Sequence, residues 1–217
     1  MNGILINIKN NIIAMLLWCS LILFVISIAI FITLNFSWIM FALSHTSISG
    51  TTHANRVRDY GRLILYLQWP FDKNLVFKYI PMSASGTHHF EDVKSLFDIN
   101  EVAIILFGMV SIPWLWGKKK KQQLWQLMLP IKGWSIFFPT VSTLLVVNFN
   151  NLFIKFHEIV FSNQDWAFDP RTDPIINVLT ENFFIVCVLV FLVLVEIELG
   201  ILYFCGYWQL KNSIRHQ

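Results

Sequence analysis

Two histidines in this chain stand where imidazole could move protons. In Gly86–Phe97, GTHHFEDVKSLF, a helical repeat sets Phe90, Val93 and Phe97 on one apolar stripe, with Leu96 at its edge. His89 falls inside that stripe. Asp92, three residues on, borders the same face. Leu152–Phe161, LFIKFHEIVF, repeats the arrangement, with His157 between Val160 and Phe161 and with Lys155 and Glu158 opposite. Imidazole is the side chain whose ordinary pKa lets it take and give protons near neutrality. Two of them aimed inward from short amphipathic segments fit acid–base work. The plain alternative at either position is a core histidine held by a hydrogen bond.

The elements that must position them are those of a polytopic membrane protein. Hydrophobic residues make up 56% of the chain and charged residues 13%, against about a quarter charged in soluble domains. The small net charge of +3 gives no footprint for nucleic acid, and the basic residues read as topology signals. Four apolar runs, at about 12–34, 99–116, 131–149 and 183–207, are expected to span the bilayer as helices. The expected fold is therefore all-α, a single membrane domain over 1–217 with four transmembrane helices. Lys118–Lys121 directly follows the second run and marks the cytoplasmic side. That places both termini inside and the loops at about 35–98 and 150–182 outside, each carrying one histidine in a short amphipathic helix.

Within the first loop, Ala54–Leu67 reads as an amphipathic helix, and Leu75–Ile80 as either a short β-hairpin or irregular chain. Arg56, Arg58 and Arg62 form a basic cluster, either a solvated helix face or a contact for lipid phosphate. Glu196 and Glu198 sit in the last span, where pairing with Lys132 or exposure at the inner interface fits better than catalysis. Cys19, Cys187 and Cys205 lie in apolar runs with no metal-site or disulfide spacing. No GxGxxG, P-loop or HExxH pattern occurs, so neither a nucleotide cofactor nor zincin chemistry is expected.

Ordered features along nearly the whole chain resemble one family. They are Tyr60…Tyr66-Leu67, His89-x-x-Asp92-Val93…Leu96-Phe97, and Phe156-His157 followed by Trp166…Asp169-Pro170…Asp173-Pro174. The chain is similar in these to the bacterial lipoprotein intramolecular transacylases, four-span membrane proteins formerly catalogued as a domain of unknown function. The H-x-x-D-V spacing selects His89 over His88. The resemblance implies an acyltransferase of the bacterial cell membrane with its active site on the extracytoplasmic side. Its partners would be diacylated lipoproteins and membrane lipid, with no nucleotide, nucleic acid or cofactor. The sn-2 acyl chain of a diacylglyceryl-cysteine would move to that residue's own α-amino group, leaving an N-acyl, lyso-form lipoprotein.

On that reading His89 and His157 are the acid–base pair, with His89 favoured as base and Asp92 orienting it. Tyr60, Trp166 and Asp169 would be supporting residues. Two other classes stay open. One is a metal-dependent membrane hydrolase with His88 or His89, His157 and Asp92 as ligands. The other is a non-catalytic accessory or sensor protein whose outer loops bind a partner.

Overall fold

A computed structural model describes residues 2–44, 46–72 and 74–215. Every regular element among them is helical: α1 (Asn2–Leu43), α2 (His53–Gln68), α3 (Ala84–Lys120), α4 (Met128–Val147), α5 (Phe149–Val160) and α6 (Glu181–Arg215), with 3₁₀ turns at Leu124–Leu127 and Pro174–Asn177. Three of these, α1, α3 and α6, are long and apolar enough to cross a membrane. The expected third span corresponds to α4, a 20-residue helix with Pro139 inside it.

Leu75–Ile80 forms no strand. Its backbone is instead collared by one carboxylate. Asp59, wholly buried on α2, accepts the N–H groups of Lys78 at 2.9 Å, Tyr79 at 2.7 Å and Ile80 at 2.8 Å. Arg62 pairs with the same carboxylate from the next turn. Backbone donors that a sheet would have used are satisfied by a side chain.

The chain forms two compact units. The first combines Met1–Ile30, Glu101–Pro139 and Leu192–Gln217. Small residues let its helices approach closely, the usual device where lipid removes any hydrophobic drive between helices. Ser20 and Ser111 share a hydrogen bond at 3.0 Å, and a Cβ on Gly108 would press on the Phe24 ring at 2.9 Å. Gln209 closes the far end, accepting from Leu124 N–H at 2.7 Å and donating to the Lys119 carbonyl at 2.9 Å. Lys132 lies over the Tyr203 ring, its ammonium 5.6 Å from the centroid. No ion pair joins it to Glu196 or Glu198 among the described residues, and each glutamate buries an Oε1 without a hydrogen-bond partner.

The second unit combines Phe31–Asn100 and Thr140–Phe191 and holds both histidines. Its core gathers Leu34 and Phe41 of α1, Tyr60, Leu63 and Leu67 of α2, Phe90 of α3, and Ile175 and Val178 beyond α5. α2 begins at a Thr52 cap, whose side chain accepts the Asn55 N–H. Nothing breaks the helix between the histidine stretch and the apolar run at 99–116, so α3 carries both as one rod. Its start is pinned from a distance: Asp173 accepts the Ser83 N–H at 2.7 Å. Gly86 is required there, because a Cβ would run into the Asp173 carboxylate.

Candidate active site

The histidines come from different helices, His89 on α3 and His157 on α5. Their ring centroids lie 5.8 Å apart at 38°. Both are buried, 7% and 8% exposed. Helical phase explains why His89 and not His88 points inward: Phe90 packs in the core with Val93 and Phe97 against it, while His88 lies outside. Leu96, at the edge of the stripe, is exposed.

Aromatic rings build the walls. Phe161, just past the end of α5, sits 5.0 Å from the His89 ring and 5.5 Å from that of His157. Phe168 meets His89 edge-on at 5.4 Å. Phe153 lies 4.1 Å from His157 on one side, and Trp166 lies 5.1 Å from it on another. Beside this enclosure α5 turns apolar side chains outward: Phe156, Ile159 and Val160 are exposed, Ile159 by 83%.

The two imidazoles are bonded differently. His157 Nδ1 is 2.7 Å from the Phe153 carbonyl oxygen one turn back. A carbonyl only accepts, so Nδ1 carries the proton and Nε2 keeps its lone pair. His89 Nδ1 is buried and has no hydrogen-bond partner. Burial lowers the His157 pKa from its ordinary value, the bond to Phe153 partly opposing it. Burial pushes His89, which lies ahead of the apolar run of α3, down to about 4, with neighbouring His157 adding to the effect. Both rings are therefore neutral at neutral pH.

The remaining expected site residues divide. Trp166 is at the site, its Nε1–H held by the Asn163 carbonyl at 3.1 Å. Asp92 is near but is not bonded to His89; its Oδ2 accepts from Asn163 Nδ2 at 2.9 Å. Asp169 is occupied locally by Arg171, at 2.6 Å to Nη2, which holds its carboxyl down at about 2. Tyr60 is a core brace, stacked on Phe41 at 4.2 Å and sharing a 2.8 Å hydrogen bond with Ser37. Burial raises its pKa, so it stays a phenol.

The arginines do not assemble into one cluster. Arg56 is buried, its guanidinium spent on the carbonyls of Thr51 at 2.9 Å and Thr46 at 2.8 Å. Arg62 is engaged with Asp59. Arg58 alone is exposed. Among the described residues no three His, Cys, Asp or Glu side chains gather as metal ligands. His88, a member of the alternative ligand set, turns to Asp165 instead, at 2.5 Å.

Several contributors carry little signal in the sequence. Phe161 and Phe168 are two of twenty phenylalanines. Asn163 and Asp165 lie in a polar connection. Lys94 is buried, its ammonium 2.5 Å from the Tyr66 carbonyl and 2.7 Å from that of Trp69. It thereby ties α3 to the unsatisfied carbonyl end of α2.

Residues 11–184 match the family described as lipoprotein intramolecular transacylase Lit. The fold is that of the in meso structure of the membrane integral lipoprotein intramolecular transacylase Lit from Bacillus cereus, with TM-score 0.80 and 24% identity over 96% of this chain and 99% of that one. A second structure of that protein, with one histidine changed to arginine, has TM-score 0.78 and 22% identity over 100% of this chain and 98% of that one. No curated protein sequence matches.

Proposed function

The chain belongs to the lipoprotein intramolecular transacylase family, and from that premise we propose that His89 and His157 share the proton transfers of an ester-to-amide acyl shift. The substrate on this reading is a membrane-anchored lipoprotein whose N-terminal cysteine carries a diacylglyceryl group and a free α-amino group. The amine attacks the sn-2 ester carbonyl, an N–C bond forms, and the sn-2 C–O bond breaks. The products are an N-acylated cysteine and a free sn-2 hydroxyl. An ester becomes an amide, so the step needs no ATP or activated acyl donor. Amine and ester belong to one molecule, and holding them together supplies rate through effective molarity. No acyl-enzyme is needed.

The observation that carries the proposal is the fixed tautomer of His157 facing His89 inside a shared aromatic enclosure. With Nδ1–H tied to Phe153, Nε2 is the ready acceptor for the amine proton. His157 is thus the base, the reverse of the division favoured from the sequence. His89 offers an N–H to the departing sn-2 oxygen, and the proton collected by His157 restores the pair. A water-poor site strengthens both interactions. Exposed Phe156, Ile159 and Val160 suit acyl chains arriving sideways from lipid. The reading includes four spans within one membrane domain, Lys118–Lys121 and both termini in the cytoplasm, and the histidine pair outside, with the lysine run as its support.

The test is mass spectrometry of a lipoprotein N-terminal peptide from cells making this protein or its H89A, H157A or double variant. Acid–base groups contribute about 10² to 10⁴-fold, so each single variant should lose nearly all N-acyl lyso-form product at unchanged protein level. Groups acting as a unit are non-additive, so the double variant should be little worse. Normal product from H89A at normal protein level would sink the mechanism.

A further inference from the structure

We propose that Asn163 is a positioning residue that fixes the histidine pair, with Asp92 as its anchor. Asn163 makes three hydrogen bonds through three different polar groups. Its Nδ2 donates to Asp92 Oδ2 at 2.9 Å. Its Oδ1 accepts the Asp165 N–H at 3.0 Å. Its main-chain carbonyl accepts Trp166 Nε1–H at 3.1 Å. Asp92 lies one turn after His89 on α3, and Trp166 packs its ring on His157, 5.1 Å away. One residue, through its side chain on one side and its main-chain carbonyl on the other, thus joins the helix that carries the first histidine to the ring that walls in the second. His88, which pairs with Asp165 at 2.5 Å, fastens the same connection to α3 from its exposed side.

This assigns Asp92 a different task from orienting His89, to which it makes no hydrogen bond. It also rests on the histidine-pair reading above. Misplacement of a reacting group by about 1 Å can cost about 10²-fold in rate, and that is the loss expected when this tie is cut. The exposed apolar side chains of α5 that suit the acyl chains take no part in this tie, so the loss falls on kcat with KM little changed.

The experiment exchanges the two groups. D92N keeps an acceptor oxygen for the Asn163 amide and should lose little turnover. N163D removes the donor and sets two carboxylates against each other, so kcat should fall about 10²-fold. In D92N/N163D the amide at position 92 donates to the carboxylate at position 163, whose other oxygen still accepts the Asp165 N–H. Most of the lost kcat should return, at the same net charge as the original chain. N163A, measured alongside, should lose kcat without losing thermal stability. Turnover of a synthetic diacyl lipopeptide by purified full-length protein in liposomes reads all four variants.

Should N163D fail to accumulate, a double variant that accumulates and turns over still carries the result. Loss in D92N as large as in N163D, or no recovery in the double variant, overturns the proposal. Wild-type kcat in both N163D and N163A does so as well. Undiminished turnover in H157A would instead sink the pair reading, whatever the exchange shows.

Discussion

His157→Asn separates the chemistry of His157 from its place in the fold. In asparagine the side-chain NH₂ occupies nearly the position of imidazole Nδ1, so the bond to the Phe153 carbonyl, 2.7 Å in the native chain, can be kept. Nothing replaces Nε2. Keeping the hydrogen bond retains its net worth of about 1 kcal/mol. The smaller side chain gives up part of the ring contact with Phe153 and Trp166, a cost of about 1–2 kcal/mol by analogy with modest core truncations. The rate loses its base, about 10² to 10⁴-fold. At 1.36 kcal/mol per factor of ten, that is about 3–5 kcal/mol of barrier. The two effects differ enough to be read apart. Turnover of a diacyl lipopeptide in liposomes, followed by mass spectrometry, gives the rate, and thermal unfolding of the same preparation gives the stability. The expected result is a nearly inactive protein with a slightly lower melting temperature. Turnover within a few-fold of native, at normal stability, would show that His157 is held in the core by Phe153 and takes no proton.

Two further predictions concern pH and the collar at Asp59. The α-amino group must be neutral to attack and has an ordinary pKa of about 7.7–8.0, so kcat/KM should rise with pH up to about 8. It should steepen below the depressed His157 pKa, where protonation removes the base; a decline setting in above pH 7.5 would mean that a charged imidazole is needed at the outset. Both histidines bind protons more readily in the unfolded chain, so their contribution to stability is fully present above about pH 6.5 and is lost as pH falls toward 4. Thermal melts across that range check the sign. Asp59→Ala strands the N–H groups of Lys78, Tyr79 and Ile80 at about 1–3 kcal/mol each, so stability should fall by about 3 kcal/mol or more; an unchanged melting temperature would show that the collar is dispensable.

What the sequence makes legible follows from periodicity. Long apolar runs and the 3.6-residue stripe locate α1, α2, α5 and α6 and aim His89 and His157 inward. The continuity of α3 differs from the short loop helix expected around His89: no Gly or Pro between Thr87 and Phe107 interrupts the chain, and the amphipathic stretch and the apolar run fold as one helix. The polar ties are a different matter. Asp59 is the single acid of α2, but its partners are backbone groups about twenty residues on, and nothing in the helix points to them. Arg56 has the same neighbours in sequence as a solvated arginine, yet folding turns it onto two carbonyls. Asp92 sits at the right spacing to serve His89, and only the approach of Asn163, 71 residues away, decides where its carboxylate goes. Side-chain-to-backbone bonds across long separations leave no periodic trace.

The collar at Asp59 has a consequence for how residues 75–80 can change over time. A carboxylate that grips main-chain N–H groups is blind to the side chains attached to them. Lys78 is exposed and Tyr79 half-exposed, so those positions are free to drift in size and charge while the segment keeps its path. Asp59 has no such freedom, because every route to the fold of residues 78–80 passes through its two oxygens. Proline at any of the three is barred for the same reason, since it removes the very donor being held. Variation and constraint are thus partitioned unevenly: one acid on α2 is fixed so that the surface beyond it can diversify.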